Sequence, residues 1–244
     1  MNSHDVSFRV AEALFSSLAR PSGAPPASTP VPFTIAITRE AGARGKTVAD
    51  EIGRQLGWPV YDRELVEKTA EQLQRPTFHV AKVDERPVHW LEDCLTGLLT
   101  QSRVPTGTYL KHLIGVVRGL GLIGHCVLVG RGANFVLPPA STVRVRLVAA
   151  LADRVKVIAA LHGLDEKEAA RKVAKIDSDR REFVRDVLHI DPTDPDYYDV
   201  FLNTSRLSHP ECARIVIEVL RTFEARARSQ QSPAAKQAAT VKGE

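Results

Sequence analysis

Cysteine is scarce and has no pattern. The three residues, Cys94, Cys126 and Cys212, lie far apart. That spacing excludes a disulfide framework and a zinc-binding module, and it fits thiols kept reduced in a cytosol. No apolar run reaches about 18 residues, so no transmembrane helix is expected. The first residues lack the apolar stretch of a secretory signal. Together these absences predict a cytoplasmic protein with no membrane partner. Aromatic residues make up only 6% of the chain. No basic run of about five residues stands out either. The net charge of +4 and the sequence pI near 9.0 therefore do not indicate a nucleic-acid partner. The arginines sit beside loops, an arrangement suited to small phosphorylated molecules.

The chain has 244 residues, 43% hydrophobic and 25% charged. This is enough for one α/β domain with an appendage and a sizeable core. The most informative stretch is Phe33 to Leu56. Phe33-Thr34-Ile35-Ala36-Ile37-Thr38 is apolar and rich in β-branched residues, which predicts a strand. Glu40-Ala41-Gly42-Ala43-Arg44-Gly45 follows as a tight turn. After Lys46-Thr47, Val48, Ile52 and Leu56 recur at helical spacing. Strand, glycine turn ending on Gly-Lys-Thr, and helix resemble a phosphate-binding loop. Glycines let backbone N–H groups approach an anion, and the helix start favours negative charge. Lys46 would reach the β- and γ-phosphates, and Thr47 would offer a hydroxyl to Mg2+. The usual first glycine of such loops is Glu40 here. A carboxylate at that place repels a triphosphate unless it turns away or meets a cation.

Residues 1–20 predict a short amphipathic helix, with Phe8, Ala11, Phe15 and Leu18 on one side. It could dock on the body of the chain or on a second subunit, making a homo-oligomer. Residues 21–32 form a proline-rich linker. Gly57-Trp58-Pro59 stops the first long helix, and a strand over 59–61 ends at Asp62-Arg63-Glu64. Asp62 is either the cap of the next helix or a ligand-facing residue. Residues 64–124 read as a helical subdomain, broken at Pro76, Pro87 and Pro105. Strands follow over 126–130, 143–149 and 198–203. Arg131 emerges after the first of these, between Gly130 and Gly132, well placed to fork onto a phosphate. Residues 151–190 form a lid region of two helices, the second capped by Asp165 and carrying Asp177, Arg180, Arg181 and Arg185. Either its charges make a solvated, salt-bridged face or its arginines close over phosphates. A terminal helix runs over 210–226, and 227–244 is expected to be disordered. Strands alternating with helices imply a parallel sheet with right-handed crossovers.

Several segments in order resemble the cytidylate kinase-like family of P-loop kinases. They are Thr38 to Lys46, Tyr61 to Glu64, Asp84-Glu85-Arg86, Val129 to Gly132, Asp177 to Arg180 and Tyr198 to Thr204. The resemblance covers roughly residues 33–225. It implies a three-layer P-loop NTPase fold, a parallel five-stranded sheet with helical nucleoside-monophosphate-binding and lid insertions, and use of ATP and Mg2+. Gly42, Ala43, Arg44, Gly45, Lys46 and Thr47 would bind the ATP phosphates, with Thr47 also on the metal. Arg39, Asp62, Arg63, Arg131 and Arg185 would hold the acceptor. Lys46, Arg154, Asp177 and Arg180 would serve the transfer itself. The implied activity moves the γ-phosphoryl of Mg-ATP to a nucleoside monophosphate such as CMP or dCMP. A regulatory nucleotide-binding protein and a kinase of another small molecule are the other readings. The chain departs from cytidylate kinases in two motifs. Asp62 is followed by Arg63-Glu64-Leu65 instead of Thr-Gly-Ala, and Val129-Gly130-Arg131-Gly132 replaces Asp-Gly-Arg-Asp.

Overall fold

The computed structural model describes residues 9, 10, 13, 32–63, 66 and 108–231. The proline breaks at Pro76, Pro87 and Pro105, the Asp84-Glu85 pair, Cys94, most of the linker and the tail beyond 231 lie outside the described residues. So does most of the N-terminal helix.

The described chain alternates strand and helix. It runs β1 (Thr34–Arg39), α1 (Gly45–Leu56), β2 (Val60–Tyr61), α2 (Thr108–Ile123), β3 (Cys126–Val129) and α3 (Ala133–Val136), then β4 (Thr142–Val148), α4 (Leu151–His162), α5 (Glu166–Leu188), β5 (Val200–Asn203) and α6 (His209–Gln231). Single 3-10 turns over Pro139–Ser141 and Pro195–Tyr197 precede β4 and β5. The α/β architecture is as expected. Three strands are shorter than the sequence suggests: β2 starts at Val60, β3 ends at Val129 and β5 starts at Val200. Proline and aspartate turns occupy the approach to β5, and Tyr198 sends its hydroxyl to the Pro192 carbonyl at 2.7 Å. In the other direction, α6 continues past residue 226 to Gln231. Its last turns are made of good helix formers, and an i, i+4 pair joins Arg228 to Glu224 at 3.7 Å.

All five strands are parallel, in the order β2-β3-β1-β4-β5. Ile37 faces Val129 on one side and Val145 on the other, so β1 is central. A parallel sheet is covered on both faces, and the side chains divide accordingly. Ile35, Ile37, Val127, Val129, Val145 and Leu147 meet Val48 and Ile52 of α1 and Val216 and Leu220 of α6. Ala36, Cys126 and Leu128 meet Leu113, Val116 and Leu120 of α2. Val10 is fully buried in this second layer. A Cβ on Gly119 would come within 2.6 Å of the Val10 Cγ1, so Val10 packs on α2. Among the described residues no helix is long and apolar enough to cross a membrane.

Helix ends follow local chemistry. Asp165 caps α5, accepting from the Glu168 N–H at 2.8 Å, while Glu168 Oε2 accepts from the Asp165 N–H at 3.4 Å. This is the reciprocal capping box that satisfies two otherwise orphaned donors. Gly57 and Gly163 close α1 and α4 in the left-handed region, at φ 67° and 63°.

The β4–β5 edge is clamped by charge. Asp199 accepts from the Arg144 N–H at 2.7 Å and from Arg144 Nη2 at 2.9 Å. Both side chains are about one-sixth exposed, at 15% and 16%. Removing one partner of a buried pair costs more than the pair itself stabilises. Asp199→Ala is therefore expected to lower unfolding stability by about 2–3 kcal/mol, after discounting for partial exposure. A urea titration with an unchanged slope and a lower midpoint is the expected result.

Candidate active site

The loop between β1 and α1 is built by hydrogen bonds that arrive from three other elements. The Glu40 N–H extends the sheet, donating to the Leu147 carbonyl at 3.1 Å. The Ala41 N–H donates to Asp177 Oδ1 of α5 at 2.7 Å. The Thr204 hydroxyl, just past β5, lies 3.3 Å from the Ala43 carbonyl. Gly42 has φ 80°, and a Cβ there would lie 2.5 Å from the Arg154 carbonyl. Only glycine meets both demands.

α1 then starts without a cap. Arg44 is its N-cap residue, at φ 52°, with no side-chain hydrogen bond to the helix. No acidic residue lies in the first turn. Helix N–H groups left in this way, together with the helix dipole, favour a bound anion. Lys46 stands at the mouth, 3.3 Å from Asp62 Oδ2 and 3.6 Å from Asp50 Oδ1. Burial pulls the Lys46 pKa down, but hydrogen bonds and charges from Asp62 and Asp50 outweigh it and raise it overall. Lys46 is thus a full cation at neutral pH, held at the end of β2 by carboxylates an incoming phosphate can replace.

Glu40 resolves the repulsion expected of it in both ways. Its Oε2 accepts from the Ala149 N–H at 3.1 Å and lies 3.4 Å from Arg154 Nε. Arg154, only 11% exposed, also lies 2.5 Å from Asp177 Oδ2 and donates to the carbonyls of Ala149 and Ala41. The family resemblance implies that Arg154 and Asp177 serve the transfer; here their side chains lie directly behind the loop. Arg154 spends its donors on two carboxylates and two carbonyls, and Asp177 accepts from Arg154 and from the loop. Both brace the loop from behind.

The other arginines gather at the carboxyl ends of the strands. Arg39 ends β1, and Arg180 Nη1 donates to its carbonyl at 3.0 Å. Burial, and after it the charges of Arg180, Arg131 and Arg63, push the Arg39 pKa down to about 9, against a smaller opposing effect of Asp62. Arg180 is lowered too, chiefly by burial; Asp177 offsets this, and Arg63 and Arg146 add to it. Arg131 lies 5.5 Å over the Phe183 ring, and Arg146 lies 5.8 Å over Tyr198. Arg39, Asp62, Arg63, Arg131 and Arg180 therefore come together. Arg185 does not join them by any contact; it pairs with Asp191 at 3.6 Å, and both are more than half exposed. Arg146 was not singled out from sequence. Its signal is the alternation in Val143-Arg144-Val145-Arg146, which puts two arginines on one face of an interior strand.

The residues present can be tested against Mg2+. The Thr47 residue is exposed in the first turn of α1, which suits one hydroxyl ligand to an ion arriving with a triphosphate. The position after the four apolar residues of β3 is Gly130, with no side chain to offer. Among the described residues no group of three or more His, Cys, Asp or Glu could hold a metal on its own.

Sheet order and loop define the class: an α/β domain of the P-loop kinase-like kind. The chain belongs to the cytidylate kinase-like family, whose profile matches residues 34–206. A curated relative, the cytidylate kinase of Methanopyrus kandleri, is 31% identical over 102 residues, 38% of this chain and 53% of that protein. The chain thus spans about half the length of the curated relative it matches. In fold it is similar to an uncharacterized protein of Eubacterium ventriosum ATCC 27560. There the TM-score is 0.59 with 18% identity, over 78% of this chain and 98% of the other.

If Arg154 braces the loop, Arg154→Ala leaves two poorly solvated carboxylates facing each other. The expected cost is about 2–3 kcal/mol, or a fall in melting temperature of roughly 4–12 °C at this chain length. Arg154→Lys should recover only part, since one ammonium cannot fork onto both acids. Calorimetric scans of the three proteins test this; equal melting temperatures would remove the brace.

Proposed function

We propose that this chain is an ATP-dependent phosphotransferase that moves the γ-phosphoryl of Mg-ATP to a small phosphorylated acceptor, a nucleoside monophosphate such as CMP or dCMP. The observation that carries this reading is a separation of charge. An uncapped helix start with one lysine lies beside five arginines, Arg39, Arg63, Arg131, Arg146 and Arg180, which act on one another. Such self-repulsion costs folding energy, and polyanionic ligands on both sides would relieve it.

The N–H groups at the start of α1 take the β- and γ-phosphates, and Lys46 exchanges Asp62 and Asp50 for phosphate oxygens. Gly42, Ala43, Arg44 and Gly45 shape the turn around them. Magnesium, held by Thr47 and the triphosphate itself, would shield phosphate charge. Arg131 and Arg180 face the acceptor phosphate, with Arg63 beside Asp62. An acceptor phosphate is already nucleophilic, so the chain needs no base. Its work is positioning and charge neutralisation. A regulator that binds nucleotide without transfer remains the second reading, favoured by Glu40 at the first position of the loop and by Val129 and Gly132 standing where cytidylate kinases carry aspartates.

Lys46→Ala is expected to lower turnover about 10²-fold or more with an unchanged melting temperature. ADP release measured across a panel of monophosphates, CMP and dCMP included, checks both points. Tight ATP binding with no acceptor-dependent ADP would favour the regulator, and normal turnover in Lys46→Ala would end the kinase reading.

A further inference from the structure

P-loop NTPases hold Mg2+ with the loop hydroxyl and an acid, and in cytidylate kinases the third core strand ends on one. Here β3 ends on Val129, apolar and buried, in the position of that acid, and Gly130 follows, its N–H donating to the Ile37 carbonyl at 2.9 Å. Gly130 has φ 87°, and a Cβ built on it would lie 2.3 Å from Arg39 Nη1. A guanidinium thus lies directly beyond the end of a strand that carries no acid. The same side chain runs along the β1–α1 loop. A Cβ on Gly45 would lie 2.6 Å from Arg39 Cγ, 3.0 Å from Cβ and 3.1 Å from Cδ. Gly45 thus gives the stem its track, and Gly130 gives the head its seat. Arg180 fixes the backbone beneath through its hydrogen bond to the Arg39 carbonyl.

We propose that Arg39 contacts the transferring phosphoryl group, a fixed cation at the end of the central strand that spans the ATP site and the acceptor site. This rests on the kinase reading above and names the residue through which the two sites meet. Among the described residues the Arg39 side chain makes no hydrogen bond or ion pair. Asp62, the acid acting on it, is engaged with Lys46. Three further arginines press on it. A guanidinium so placed, half-buried and without an acid in contact, fits a ligand with two phosphates in line. Its planar fork can donate to an oxygen of each. During transfer, an acceptor phosphate oxygen forms the new bond to the γ-phosphorus. The bond from that phosphorus to the β,γ-bridging oxygen breaks, and ADP leaves with the electron pair. Negative charge on the moving group stays beside Arg39 throughout, and no proton has to be passed.

The test measures binding as well as rate. Calorimetry with the β,γ-imido analogue of ATP is run in magnesium and in EDTA. Because Arg39 supplies charge at this point, wild-type affinity should fall only about tenfold in EDTA. Arg39→Met should lose about 30-fold in EDTA, the range found when one member of a desolvated charge pair is removed, and distinctly less in magnesium. Arg39→Lys should recover part of the EDTA affinity but little of the turnover, since it keeps the charge and loses the fork. The melting temperature of ligand-free Arg39→Met should hold or rise, because a crowded cation has been removed; this separates lost binding from lost folding. Arg39→Met binding like wild type in both buffers would overturn the assignment of Arg39 alone. A wild-type protein that binds no analogue in either buffer would overturn the nucleotide site as well.

Discussion

A carboxylate held against the turn between β1 and α1, largely out of water, needs a cation beside it. Arg154 meets this constraint, and much of the local architecture follows from it. Its guanidinium can lie against Glu40 only if α4 begins directly behind the turn. That requires β4 to end beside β1 and Gly42 to give up its side chain to the Arg154 backbone. Asp177 then balances the second half of the guanidinium and takes the Ala41 N–H. Three elements far apart in sequence share one charge network. The apolar contacts beneath it, Ala41 with Val155, Ile158, Ala169 and Val173, bury the same junction.

The network also sorts the charges of the site. Behind the loop, one arginine is fully engaged by two acids. In front, arginines outnumber acids and the protein leaves them so. Natural chains accept such local cost where binding recovers it. Arg154, engaged by two carboxylates and two carbonyls, and Arg39, crowded by like charge, are thus in opposite electrostatic settings that their positions in the sequence do not show.

Much of the fold was legible because its signals are local. Continuous apolar runs gave the interior strands, and glycine and aspartate at helix ends gave the boundaries of α4 and α5. The turn after β1 was legible for the same reason. The roles of the arginines were less so. Arg154, Arg180 and Arg185 look alike along the lid region, yet one faces Glu40, one bonds to β1 and one pairs with Asp191 on the surface. The contacts of Arg154 with Glu40 and of Arg180 with the Arg39 carbonyl join residues more than 100 apart in the chain, and no periodicity records that. Arg146 was hidden by the same limit: alternation gives its face on the strand, not what stands opposite.

The match to the family ends at residue 206 and begins at 34, but the packed interior does not respect those limits. Cys212, Ala213, Val216, Ile217 and Leu220 of α6 line one side of the sheet, and Val10 seals a groove at Gly119 on the other. The stretch that can be recognised by likeness is therefore shorter than the stretch that shares the packed interior. A boundary drawn from homology would uncover greasy surface on both flanks of the sheet at once.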